Sequence, residues 1–144
     1  MKMIARGLLA TVFALSTAPI VAESALEFSN AWSPEAPPGR MMAGFVEIHN
    51  PSDRAVVLVD GKSPQFGRVE IHTMKMDDGV MRMRRLDELA VEPGESVQLE
   101  SGGLHLMLIE PAAPLSSGDR IEVTLIDADG GEHPFVLEVR PRSH

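Results

Sequence analysis

From residue 25 onward no stretch of this chain spaces its apolar residues as a helix would. Short runs instead alternate apolar and polar side chains or collect β-branched residues, the pattern of half-buried strands. The runs cover residues 26–33, 42–49, 55–60, 67–75, 80–86, 96–100, 104–109, 120–127 and 134–140. Turn-forming clusters separate them: Pro34 to Gly39, Asn50 to Asp53, Asp77-Asp78-Gly79, Pro93-Gly94, Ser101 to Gly103, Pro111 to Gly118 and Asp129 to Gly131. Evenly spaced short strands with turn chemistry between them predict one all-β domain, a sandwich or Greek-key barrel. No internal repeat, low-complexity tract or interdomain linker interrupts the pattern.

The first 22 residues follow a different rule. Lys2 and Arg6 precede an uncharged, mostly apolar run from Gly7 to Ala22, broken by Ser16, Thr17 and Pro19 and ended by Glu23. A basic start, a short apolar stretch and a small residue at its end predict a secretory signal peptide over 1–22, with residues 23–144 as the exported domain. The run is too short to span a bilayer comfortably, so no stable membrane insertion is expected after cleavage. No cysteine follows it, which argues against lipid anchoring.

Charge and composition remove whole classes of function. With 13 Lys and Arg against 21 Asp and Glu, a formal charge of −8, the chain lacks the basic face that nucleic-acid binding requires. The absence of cysteine removes disulfides, thiolate nucleophiles, zinc-finger and iron–sulfur sites and the thiolate of a blue-copper centre. No G-x-S-x-G elbow, H-E-x-x-H, phosphate loop or dinucleotide glycine motif is present, so an enzyme is not expected.

The unusual residue is methionine, nine times in a chain with one Trp and no Tyr. In VEIHTMKMDDGVMRMRRL, residues 69–86, Asp78-Gly79 sits between two alternating runs and predicts a hairpin with a type I′ turn. Met76 then faces Met81, and Met74 faces Met83. His72, Met74, Met76, Met81 and Met83 share one side, with Thr73, Lys75, Arg82 and Arg84 on the other. His72 lies diagonal to Met83, within reach of long side chains converging on one ion. In GGLHLMLIE, residues 102–110, His105 and Met107 project from one strand face. Thioether sulfur is a soft, neutral donor suited to Cu(I) and poor for Zn, Mg or Ca. A His/Met set also survives an oxidising compartment better than a thiolate. Against this stands the ordinary use of Met as a core filler and of a lone strand His as a hydrogen-bonded structural residue. Two H-x-M pairs together with two M-x-M pairs shift the balance toward a copper site.

The spacing His72, ten residues, Met83, twenty-one residues, His105, one residue, Met107 resembles that of the periplasmic copper chaperones called PCu(A)C. The segments AWSPEAPPGRMMAGFVEIHN and SGGLHLMLIEPAAPLSSGDRIEVTL also look like that family, and the similarity runs over about residues 26–140. The resemblance implies a cupredoxin-like barrel and one Cu(I) per chain bound by His72, Met83, His105 and Met107. It further implies delivery toward the Cu(A) centre of cytochrome c oxidase in the periplasm, the partner being oxidase subunit II or a Sco-type thiol protein. Several relatives carry a His/Met-rich tail that binds further copper; here the tail is RPRSH, and only His133 and His144 are candidates for an added Cu(II) site. His49 is expected to be structural, and Met41 and Met42 to be packing or rim residues. Two other functions stay open: a copper buffer with the same ligands and no dedicated acceptor, and a β interaction module whose methionines are core. For transfer to a partner, His105 or Met107 is expected to be solvent-accessible.

Overall fold

The computed structural model describes residues 25–143. Residues 1–22, where a signal peptide is expected, and His144 lie outside them. Ten strands follow one another: β1 (Glu27–Pro34), β2 (Met42–His49), β3 (Val56–Ser63), β4 (Phe66–Asp77), β5 (Val80–Arg85), β6 (Leu89–Val91), β7 (Ser96–Leu99), β8 (His105–Pro111), β9 (Arg120–Asp127) and β10 (Glu132–Arg140). Nine of the ten fall where the alternating runs predict them. The tenth, β6, is three residues long, too short for a period-two pattern to register.

Pairing runs β4-β8-β2-β1-β10-β9-β3 and returns from β3 to β4, so seven strands close a barrel. All pairs are antiparallel except β1 with β10. The three remaining strands hang from the ring as flaps: β5 on β4, β6 on β3 and β7 on β2. This is the all-β barrel that the strand pattern predicts and the cupredoxin-like fold that the family resemblance implies. A barrel this narrow has room inside only for side chains. Alternation along each strand supplies them: Val46 and Ile48, Leu58, Val69 and Ile71, Leu106 and Leu108, Ile121, Val123 and Leu125, and Leu137 and Val139 all point inward and are buried. Where strands press closest, Gly44 faces Leu106 in the ladder, and a methyl group on it would lie 3.0 Å from Leu137 Cδ1 and 3.1 Å from Leu106 Cβ.

Candidate metal centre

Because Leu106, Leu108, Val69 and Ile71 take the barrel interior, strand alternation sends His105, Met107, Glu70, His72 and Met74 to its outer face. The hairpin register is the predicted one. Asp78 and Gly79 adopt φ of 49° and 77°, as a type I′ turn demands, Met74 pairs with Met83 and Met76 with Met81. His72 pairs with Arg85 and so lies diagonal to Met83. The sequence leaves unspecified which strand flanks the hairpin on its other side; it is β8. His72 stands directly opposite His105, their rings 6.0 Å apart between centroids, and Glu70 stands opposite Met107. Three neighbouring strands, β5, β4 and β8, therefore bring the four spaced residues to one patch.

His105, Met107, Met74 and Met83 line one pocket of about 310 Å³, which Met41, Ala43 and Phe45 close from the β2 side. Exposure across the patch is uneven. Met83 on the edge strand β5 is 45% exposed, whereas His105 and Met107 are each 6% exposed. The expected accessibility of His105 or Met107 is therefore corrected. β8 is an interior strand with β4 on one side and β2 on the other, while β5 has a neighbour on one side only. The open side of the patch is the hairpin.

Both imidazoles are held by their second nitrogen. His105 Nδ1 donates to the Gly103 carbonyl at 2.9 Å, which leaves the lone pair on Nε2. His72 Nε2 lies 2.8 Å from Glu70 Oε2. The His72 hydrogen bond, with the Arg85 and Arg68 charges, outweighs burial and holds the Glu70 carboxyl below its ordinary range. An ionised carboxylate only accepts, so in the neutral imidazole the proton sits on Nε2 and the lone pair on Nδ1. That Nδ1 is buried and has no hydrogen-bond partner among the described residues. A buried acceptor without a partner costs free energy on the order of 1–3 kcal/mol, a penalty that a bound ion removes. Each ring thus keeps one free lone pair in a fixed tautomer, the way histidine ligands are oriented in metal sites. Glu70 is the residue that reading the motif misses; its signal is the E-x-H alternation immediately before the hairpin.

The remaining candidates fall elsewhere. His133 is buried and bonds Asp127 at 2.8 Å, remote in the ladder from the patch. His49 bonds Ser96 Oγ at 2.9 Å at the far end of β2. Met42 is core and Met41 is an exposed rim residue, as expected. Among the described residues no three His, Cys, Asp or Glu side chains gather in a way that would hold an ion.

The closed all-β barrel is a fold shared with PCuAC domains. The copper-bound PCuAC domain from PmoF2 superposes with a TM-score of 0.68 at 22% identity, over 84% of this chain and 97% of that one. The Cu(I) form of DR1885 from Deinococcus radiodurans gives 0.60 at 25% identity, over 78% and 76%. By sequence the chain belongs to the LpqE-like family, described as "Putative lipoprotein LpqE-like", whose model matches residues 26–139. The resemblance to the PCu(A)C proteins is borne out at the level of fold. The "Putative lipoprotein Lxx21020" of Leifsonia xyli is 28% identical over 116 residues, 80% of this chain and 69% of its own length. An uncharacterized protein of Rickettsia prowazekii is 28% identical over 113 residues, and the chain spans 62% of its length.

Proposed function

We propose that this protein is an exported copper chaperone that binds one Cu(I) through His72, Met83, His105 and Met107 and hands it to an acceptor in the cell envelope. The observation that carries the reading is the pair of imidazoles, each with one lone pair left free, facing one another across the β4–β8 ladder beside the thioethers of Met83 and Met107. Metal–imidazole bonds of about 2 Å place an ion about 3 Å from each ring centre, so rings 6.0 Å apart are within reach of one shared ion. Two neutral nitrogens and two soft sulfurs favour Cu(I) over harder divalent ions. Copper-bound forms of domains with this fold support the copper-handling role, and the lipoprotein names of the family and of one sequence relative support its place at the envelope.

The Cu(A) centre of oxidase subunit II is the acceptor we propose, directly or through a Sco-type thiol protein. Thioethers are weaker donors than thiolates, so a dicysteine acceptor withdraws the ion downhill. Met83 on the open hairpin is the ligand an incoming thiolate displaces first, with His105 and Met107 released from the interior strand afterwards. Mixing the Cu(I)-loaded protein with the apo copper domain of subunit II tests this. Transfer should outpace release to a weak chelator and accelerate with acceptor concentration. A rate independent of acceptor concentration would mean that dissociation limits, and the protein would be a copper buffer.

A further inference from the structure

Beyond the four residues of the proposed site, the hairpin of β4 and β5 has two unlike faces. One carries Thr73, Lys75, Arg82 and Arg84, with Asp77 3.8 Å from Arg82 and 3.5 Å from Arg84. That is how an exposed edge strand is ordinarily dressed, since charge keeps it from pairing with another chain. The other face breaks the rule. Met76 is 60% exposed and Met81 47%, and apart from Val80 every large hydrophobic residue exposed among the described residues is a methionine. Core filling does not explain side chains that fill no core, and Met is not a residue that strands favour.

The register puts these methionines in two rungs, Met76 with Met81 and, two residues closer to His72, Met74 with Met83. Partners across an antiparallel rung have Cβ atoms roughly 5 Å apart. Rungs two residues apart along the strand are separated by about 6.7 Å. Flexible thioether side chains span both distances, so a sulfur of one rung and a sulfur of the next can hold the same soft ion. The acidic and basic groups near this face are spoken for: Arg85 and Arg68 approach Glu70, and Asp77 lies on the opposite face. A cation there meets neutral sulfur.

We propose that Met76 and Met81, with Met74, form a second, weaker Cu(I) site at the tip of the hairpin, joined to the His/Met site by Met83. It rests on the Cu(I) reading for its choice of ion and extends that reading to how the ion enters and leaves. Movement between the sites is ligand exchange: one Cu–S bond forms as another breaks, and the ion stays Cu(I) throughout. An all-thioether set lacks the imidazoles, so its affinity should be at least about tenfold below that of the His/Met set.

The test is a titration of the full mature protein with Ag(I), a redox-silent stand-in for Cu(I), followed through 13C-labelled methionine methyl groups. The first equivalent should move the Met83 and Met107 methyls, and the second should move those of Met74, Met76 and Met81. The double variant Met76→Leu with Met81→Leu should take up the first equivalent unchanged and lose the second. Both residues are exposed, so its amide spectrum should otherwise match the parent. Met76 and Met81 methyls that stay put at several equivalents in the unmodified protein would overturn the proposal, whatever the variant does. So would a second equivalent that survives the double substitution. If the Met76 and Met81 methyls respond while that of Met107 never does, the hairpin site stands and the four-residue site falls.

Discussion

Replacing Met107 or Met83 with Leu separates a ligand from a packing residue, because the two positions differ so sharply in burial. Met107 is 6% exposed on an interior strand, between Ala43 and Glu70 in the ladder. Leu nearly conserves its volume, so Met107→Leu should cost less than about 1.5 kcal/mol of stability, whereas Met107→Ala should cost on the order of 2–5 kcal/mol by leaving a cavity. Met83 is 45% exposed on the edge strand, and Met83→Leu should stay within about 0.5 kcal/mol of the parent. Each Leu nevertheless deletes one of four donors. Affinity for Cu(I) should fall at least about tenfold in both, equivalent to about 1.4 kcal/mol. Urea unfolding of the apo proteins gives the first quantity and competition with a chromophoric Cu(I) chelator gives the second, on the same samples. A Met107→Leu protein that is much less stable yet binds Cu(I) as tightly as the parent would show that Met107 is core and refute its assignment. Unchanged affinity in Met83→Leu would remove the hairpin from the site.

Glu70→Gln keeps the shape of the side chain but loses the charge that fixes the His72 tautomer; Cu(I) affinity should fall by roughly 10–100-fold with the fold retained, as read by the same competition. Equal affinity would mean that His72 needs no orienting partner. Gly44→Ala should destabilise the barrel by about 1–3 kcal/mol in urea, since the added methyl has Leu106 and Leu137 at about 3 Å. Burial pushes the Asp127 carboxyl up, but hydrogen bonds from His133 and from the Gly131 and Asp129 amides pull it further down, so it sits below the ordinary carboxylate value. A depressed carboxylate contributes stability above its unfolded value, near pH 4, and loses it as pH falls through the folded value. Asp127→Asn should therefore flatten the loss of stability on acidification below about pH 4, and an unchanged slope would clear Asp127 of that role.

The strands with one buried face were legible, except the three-residue β6. Period two marks the strands from 27–34 to 132–140 because the barrel interior admits apolar side chains from alternate positions only. The Asp78-Gly79 turn fixed the β4–β5 register to the residue, since positive φ at two successive positions leaves few alternatives. Lateral order was not legible. Nothing local in residues 66–77 or 105–111 says that β4 and β8 are neighbours, so the facing of His72 and His105 came only with the topology. For the same reason, the burial of His105 and Met107 escaped a reading that knew their strand but not that it lies between two others. Glu70 was overlooked because a lone acidic residue on a strand is ordinary until its partner is known.

X-ray absorption at the copper edge of the protein loaded with one equivalent of Cu(I) tests the central claim most directly. A first shell of sulfur and nitrogen together, with the nitrogen lost in His72→Ala and the sulfur reduced in Met107→Leu, is the result expected for the His72, Met83, His105 and Met107 set. A shell of nitrogen and oxygen alone, or one indifferent to both substitutions, would contradict it.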